Sequence, residues 1–358
     1  MKYRTLGKSG LVVSAVSLGT MQFGTNKVGN LDQKATTAMV RHAIDKGINL
    51  IDTADVYSKG ESETLLGNAL KGIRDEIVLA SKVRLPMSAN IIRSGATRVN
   101  IMRGVESSLR RLQTDFLDLY QVHSWDSSTP LEETVRTLED LIRQGKVRYI
   151  GFSNYMTWQG AMAIDLQERL GLEKFITAQM YYSLVGRGLE NEFLDFALYY
   201  GIGVLVWSPL AGGFLSGKYP RGSSAPAGTR FAEAGAFVPI ELEQAYRVID
   251  ALNQVGKRHG ASPSRVALAW LLGRPAITSV IIAARTIGHL DDNIASVDLV
   301  LEPDDLSLLD KVSSAGVPYP RWMVLQHDTV EDFRLKTLHP EMFADGDPWK
   351  DLSREWRG

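Results

Sequence analysis

Cysteine is absent from this 358-residue chain. Disulfides, thiolate metal centres and cysteine nucleophiles are therefore excluded, and the absence fits a reducing compartment. Net charge is nearly absent as well: 40 basic residues face 41 acidic ones, a formal charge of -1 at pH 7. Such a balance gives no bulk field to gather nucleic acid or an anionic membrane surface. Long apolar runs are missing too. No stretch reaches the roughly 18 residues of a membrane span, and the opening Met1-Lys-Tyr-Arg-Thr-Leu-Gly-Lys-Ser-Gly10 lacks the apolar core of a signal peptide. A cytoplasmic location is the expectation. Histidines number six and are widely scattered, which argues against the ligand cluster of a metal-dependent hydrolase; no metal site is expected. No Gly-x-Gly-x-x-Gly occurs. The one phosphate-loop spacing, Gly212-Gly-Phe-Leu-Ser-Gly217-Lys218, is followed by Tyr219 and not by the Ser or Thr that would hold magnesium.

What the chain does have is a repeated alternation of apolar runs and helical patterns. Eight near-continuous apolar runs recur, at Val16–Gly24, Asn49–Val56, Ile77–Val83, Asp118–His123, Tyr149–Asn154, Ile176–Ser183, Gly203–Leu210 and Ser279–Arg285. Unbroken hydrophobicity marks parallel strands buried on both faces. Asp32 opens a helix with Ala35, Met39, Ala43 and Ile44 inward and Gly47 at its end. Ile101, Val105, Leu109 and Leu112 make another stripe. Thr129-Pro-Leu-Glu132 reads as a capping box ahead of Leu131, Val135, Leu138, Leu141 and Ile142, with Gly145 as the stop. Eight strand–helix units without a change of composition predict an α/β fold, a closed (β/α)8 TIM barrel. One domain is expected over residues 1–358, with the barrel at about 14–300 and a C-terminal extension at about 301–358. Three segments fall outside the repeat: residues 1–13, expected as a hairpin plugging the barrel floor; the Gly/Ala/Pro-rich excursion 211–240; and a tail that starts with a helix at Asp304–Ser313.

Three consecutive strand-like runs end in ionisable residues. Asp52 closes the first, Lys82 the second and His123 the third, while Tyr57 stands five positions past Asp52. Burying a charge in a strand core costs several kcal/mol unless it is paired, so the three point to one shared site at the strand ends, where barrel chemistry sits. A free phenol has a pKa of about 10, too high for ready proton donation at neutral pH. A nearby ammonium lowers it. Asp52 would hold Lys82 charged, Lys82 would acidify Tyr57, and His123 would hydrogen-bond the oxygen of a bound carbonyl: an acid site for an oxygen gaining negative charge. A glycosidase would need two facing carboxylates. The run ending in His123 and the one ending Trp207-Ser-Pro209 supply no such pair.

Asp52, Tyr57, Lys82 and His123, in this order, resemble the catalytic tetrad of the aldo-keto reductase superfamily, and Gly47–Tyr57 followed by Glu61-Ser-Glu63 resembles that family's first motif. The resemblance covers about residues 3–325 and lies toward its bacterial and potassium-channel beta-subunit-like branch, the latter through Trp207-Ser-Pro-Leu-Ala211. It implies NADP(H), as NADPH or NADP+, extended across the barrel mouth. It also implies reduction of an aldehyde or ketone by hydride transfer, with Tyr57 as general acid. The carried-over cofactor contacts are Gly19, Thr20 and Met21 under the nicotinamide; Asp52; Ser153, Asn154 and Gln179 at the carboxamide; and Trp207 stacked on the ring. Ser208, Pro209, Leu210, Gly212, Ser216 and Lys218 would follow the pyrophosphate, with Arg230 nearby. Ala283, Arg285, His289, Asp292 and Asn293 would meet the adenosine end, and the Arg285 guanidinium suits a 2′-phosphate. Phe23, Val56 and Trp125, with the tail segment Tyr319-Pro-Arg-Trp322-Met323, are the expected substrate wall, suited to apolar or cyclic carbonyls.

The chain also departs from the family pattern. Lys59-Gly60 adds loop after Tyr57, Ile282-Ala-Ala-Arg285 lacks the usual Pro-Gly, and His289 stands where many relatives carry Gln. An imidazole beside a phosphate would make cofactor affinity pH-dependent. The implied partner is a small carbonyl compound. The resemblance leaves open a non-catalytic or slow NADP(H)-bound regulatory subunit, and both monomers and ring assemblies.

Overall fold

The computed structural model describes residues 1–25, 31–222, 229, 232, 235 and 237–327. Eight parallel strands close into a barrel: β3 (Val16–Gly19), β4 (Leu50–Asp52), β5 (Val78–Val83), β6 (Leu117–Val122), β7 (Val147–Ser153), β8 (Thr177–Tyr181), β9 (Gly203–Trp207) and β10 (Ile277–Ile282), with β10 pairing both β9 and β3. Helices surround it, so the expected (β/α)8 barrel is present. Six of the strands are shorter than their apolar runs, while β6 equals its run in length and β7 exceeds it by one residue. Thr20–Gly24, Thr53–Val56 and Ser208–Leu210 leave the ladders and become loops at the mouth.

Alternation along each strand sets what points inward. Leu50, Val78, Ala80, Leu119, Leu205 and Ile281 form an interior cluster, distinct from the larger apolar layer between strands and helices. Two residues further along the same strands come Asp52, Lys82 and Gln121, and the register pairs Asp52 with Ala80 and Lys82 with Gln121. The barrel interior is therefore apolar below and polar above.

The floor is closed by the expected hairpin, β1 (Tyr3–Thr5) paired antiparallel with β2 (Val12–Ser14). Leu6 and Val13 are fully buried and join the interior cluster. Gly7 permits this approach: at φ +60° it lies so close to the barrel that a Cβ would stand 2.3 Å from the Ile176 carbonyl oxygen. Lys8 N donates to Gly201 O at 2.8 Å, and Arg4 donates to the carbonyls of Ile277 and Leu272.

Asp32 does cap α1 (Gln33–Asp45), accepting from Ala35 N at 2.8 Å, and the buried face is Thr36, Met39, Val40 and Ala43. The capping box at α4 (Leu131–Arg143) is not formed. The Thr129 hydroxyl donates instead to Asp126 Oδ2 at 2.7 Å, and Pro130 occupies the cap position without a side-chain bond. Asp126, three residues earlier, is the stronger acceptor. The helix expected at Asp304–Ser313 begins one residue sooner, at Pro303. Among the described residues no helix is long and apolar enough to cross a membrane.

If the hairpin plug holds the floor, Leu6→Ala should cost about 2–5 kcal/mol, the range for emptying a well-packed leucine site. Urea unfolding would show this as a lower midpoint with an unchanged slope; a midpoint equal to wild type would mean that the plug bears no load.

Candidate functional site

The strand ends bring the four expected residues together. Lys82 is fully buried, and its Nζ donates to Asp52 Oδ2 at 2.6 Å, to Thr53 O at 2.8 Å and to Tyr57 Oη at 3.2 Å. All three ammonium protons thus have an acceptor. Burial works against the Lys82 charge, yet the Asp52 carboxylate and the Tyr57 oxygen outweigh it and hold the ammonium above its ordinary proton affinity. Asp52 is held from its other side: Gln179 Nε2 donates to Oδ1 at 2.7 Å and Gln121 Nε2 at 3.3 Å. The ammonium also lies 4.9 Å from the centre of the Tyr57 ring.

His123 stands across Tyr57, ring centroids 6.0 Å apart and nearly perpendicular. Its backbone N–H donates to Val83 O at 2.9 Å, which sets it beside the end of β5. Desolvation, then the positive charges of Lys82 and Arg84, push its pKa down to about 3. The imidazole is therefore neutral at physiological pH and offers one N–H to an oxygen. Its Nδ1 is buried without a partner.

Tyr57 owes its place to an unusual backbone. Ser58 (φ +48°), Lys59 (φ +54°) and Gly60 (φ +94°) follow it in three successive left-handed conformations. Only glycine adopts that region freely, so two side-chain-bearing residues there store strain that the surroundings must offset. One anchor is visible: Ser58 Oγ donates to Phe23 O at 2.8 Å. This is the stretch where the sequence departs from the pattern of the family it resembles.

The mouth beyond the tetrad fits a dinucleotide in its donor chemistry. Trp207, at the end of β9, donates its indole N–H to Asn154 Oδ1 at 3.0 Å, while Asn154 Nδ2 donates to His123 O at 3.0 Å. A flat aromatic face is thereby locked beside the tetrad, backed by Tyr181 at 5.1 Å between ring centres. Next, Ser208 Oγ accepts from Gly212 N at 2.9 Å, and Gly212 and Gly213 take φ +68° and +92°. A Cβ on Gly212 would meet nothing within 4 Å, so backbone there is open to a ligand. The Lys218 ammonium is close by, 5.4 Å from the centre of the Tyr219 ring, and Ser216 Oγ donates to Gly213 O. On the far side Gly19 has no room for a side chain, a Cβ there falling 2.7 Å from Ile281.

Other expected residues are placed differently. Gln179 spends its amide donor on Asp52, and Ser153 Oγ donates to Gln179 O at 2.7 Å. Thr20 is fully buried, its N–H donating to Asp52 O and its hydroxyl accepting from Ser62 Oγ, so it braces the site from below. Asp292 is already engaged by Arg265 at 2.7 Å and by Ser262, and Asn293 is buried with its amide toward Ala283 O. Pro209 is buried, whereas Leu210 and Arg285 are half-buried and Ala283 and His289 exposed. Phe23 is buried in the apolar layer and is a support of the Ser58 loop, not a surface wall; Val56, Met21 and Trp125 remain half-exposed at the mouth. The tail segment turns to α6 (Phe193–Tyr200): Arg321 donates to Asn191 O at 3.1 Å and pairs with Asp195. Arg230, the other parts of 211–240 without a description, and the tail past 327 lie outside the described residues.

Three residues at the site were passed over by sequence reasoning. Gln121 interrupts an apolar strand and Arg84 follows one; the signal is weaker for the uncharged Gln121 than for Lys82. Asp55 sits between Asp52 and Tyr57 and looks like loop, yet it is 2% exposed with Oδ1 unpartnered. Burial, reinforced by the Glu63 carboxylate, pushes its pKa up to about 8 against the opposing pull of Arg111, the Val56 N–H and Lys82. Glu63 is itself fully buried between Ser81 Oγ at 2.6 Å and Arg111 Nε at 2.7 Å.

Comparison with known proteins agrees with this geometry. The model of the aldo/keto reductase family matches residues 15–314. The chain is 38% identical to the uncharacterized oxidoreductase YrpG of Bacillus subtilis (strain 168), over 87% of this chain and 96% of that protein. It is 33% identical to versiconal hemiacetal acetate reductase of Aspergillus parasiticus, with the same two coverages. It is also 32% identical to a probable voltage-gated potassium channel subunit beta of Oryza sativa subsp. japonica, over 90% of this chain and 98% of that protein.

The Asp55 carboxyl binds its proton more tightly in the folded chain than in the unfolded one. Its contribution to stability is thus full below the unfolded pKa of 3.8 and is lost as pH rises through about 8. Asp55→Asn should accordingly be more stable than wild type at pH 9, by up to about 5 kcal/mol, with the gap closing toward pH 4. Urea titrations across that range measure it, and a gap independent of pH would show that Asp55 is ionised in the fold.

Proposed function

The chain belongs to the aldo/keto reductase family, and from that premise we propose that it is an NADPH-dependent reductase that converts an aldehyde or ketone to the alcohol. The observation that carries this reading is the 3.2 Å contact from Lys82 Nζ to Tyr57 Oη, with Asp52 behind the ammonium. A phenol beside a fixed positive charge is a stronger acid than a free one. Bound NADPH would supply a hydride to the carbonyl carbon. The protein's own part is to hold the carbonyl oxygen between the neutral His123 imidazole and Tyr57 Oη, and to deliver the Tyr57 proton as charge develops there. Lys82 then stabilises the phenolate, and Asp52, fixed by Gln121 and Gln179, keeps Lys82 charged.

For the cofactor, Trp207 would cover one face of the nicotinamide, Gly212, Gly213, Ser216 and Lys218 would meet the pyrophosphate, and Arg285 would face the 2′-phosphate. Asp292 serves better as the partner that orients Arg265 than as a direct contact. A second reading, a cofactor-bound regulatory subunit, is favoured by the likeness to channel beta subunits. The complete set of four residues favours the enzyme. Steady-state NADPH oxidation with a panel of aldehydes separates the two: turnover supports the reductase, whereas tightly held cofactor with no turnover supports the subunit.

Two outcomes are expected of variants. Tyr57→Phe should bind NADPH as wild type does, by fluorescence titration, while turnover falls about 100- to 10,000-fold; wild-type-like rates would end the proposal. Arg285→Ala should raise the dissociation constant for NADPH about tenfold or more and leave that for NADH unchanged, because only the former carries the 2′-phosphate. Equal effects on both cofactors would remove Arg285 from the phosphate site.

A further inference from the structure

Arg84 is a charged residue beside the tetrad that the chemistry above does not use. It directly follows β5, two residues past Lys82, at φ +122°, a region that favours glycine. Gly95 N donates to its carbonyl at 2.8 Å, pinning the backbone in that conformation. The side chain is half-buried, and its Nε is buried without a partner. Among the described residues no hydrogen bond or ion pair engages the guanidinium. Asp126, whose carboxyl feels the Arg84 charge, spends its hydrogen bonds elsewhere: Ala96 N, Ser128 N and Thr129 Oγ1 all donate to its oxygens at 2.7–2.9 Å. The guanidinium is close enough to His123 to depress its proton affinity, and it acts likewise on Tyr155, whose ring lies 5.1 Å from that of Trp125.

A guanidinium held in strained backbone, partly out of water and without a hydrogen-bonded counter-charge, is costly unless something completes it. Its five donors in a planar fork match a carboxylate or a phosphate. His123 joins the chain beside it, its backbone N–H on Val83 O at 2.9 Å, and the Arg84 charge also reaches Tyr155 of the Trp125–Tyr155 aromatic pair. We propose that Arg84 is a specificity-determining residue that binds an anionic group on the substrate, so that the preferred carbonyl compounds carry a carboxylate or phosphate, with an apolar or aromatic body against Trp125. This deepens the reductase reading and rests on it. It also revises the expectation of a purely apolar pocket: the wall is aromatic, but one corner is cationic.

The test compares matched carbonyls with NADPH: benzaldehyde, 4-formylbenzoate and 4-formylphenyl phosphate. The readout is the ratio of kcat/KM for each anionic member to that for benzaldehyde, in wild type, Arg84→Met and Arg84→Lys. Wild type should favour one or both anions by about 10- to 100-fold. That ratio should fall to near one in Arg84→Met and be partly kept in Arg84→Lys, and the favoured member of the pair tells carboxylate from phosphate. A wild-type ratio near one, or a preference that survives in Arg84→Met, overturns the proposal. If no carbonyl turns over in wild type, the reductase reading fails first. The anion site is then decided by titrating the NADP+-loaded protein with benzoate and phenyl phosphate against benzyl alcohol, followed by tryptophan fluorescence. Anion binding at least tenfold weaker in Arg84→Met upholds the site, and equal binding in both proteins overturns it.

Discussion

The ion pair between Lys82 and Asp52 is the constraint around which the rest of the barrel's upper half is arranged. Both groups lie inside the barrel, the ammonium fully buried, 2.6 Å apart. Neither charge would persist there alone, since desolvation of one unpaired ion exceeds what a fold of this size can spare. The surroundings complete each group in turn. Thr53 O and Tyr57 Oη take the other two Lys82 protons, and Gln179 and Gln121 take the free Asp52 oxygen. Below them, the hairpin residues Leu6 and Val13 seal the barrel floor and keep the interior apolar. A dry floor strengthens each electrostatic contact above it.

The mouth solves a different problem, that of turning strand ends into surfaces that face a ligand. Strands that leave the barrel carry their last side chains outward along the axis, so the chain must bend sharply. It does so with left-handed backbone at Ser58, Lys59, Arg84, Asn154, Ser208 and Ala211, none of them glycine. Each bend is held by a specific bond, such as Ser58 to Phe23 O, Gly95 N to Arg84 O or Gly212 N to Ser208 Oγ. Strain gathers around the tetrad and the mouth beside it, as expected where geometry is set for binding rather than for stability. The buried, proton-holding Asp55 and the charged pair Glu63–Arg111 behind it belong to the same pattern of local cost at a working site.

Much of this was legible before any coordinates. Period and run length marked the eight strands, because a buried parallel strand must be apolar on both faces, and a charge at the end of such a run stands out. That signal located Asp52, Lys82 and His123. It was weaker for Gln121, which is uncharged and so less anomalous in an apolar strand. It was absent for Asp55, whose neighbours in sequence read as loop. The capping box at Thr129 failed for a related reason. A pattern of four residues says which bonds are available, but the hydroxyl chose the Asp126 carboxylate that the loop delivered to it. Phe23 failed in the opposite sense: an aromatic near a mouth was expected to face a ligand, and packing buried it beneath the Ser58 loop.

Sequence alone determined the barrel, the order of its units and the ionisable residues Asp52, Lys82 and His123 that end its strands, because those follow from local periodicity and from the cost of placing charge in an apolar strand. Tertiary structure decided which groups meet. That Gln179 bonds Asp52, that Asp292 is held by Arg265, and that the Arg84 Nε is buried with no hydrogen-bond partner depend on residues far apart in the chain. Closing the barrel brings such residues within hydrogen-bond range, and the register between neighbouring strands, set by packing over the whole sheet, selects the partner each one finds.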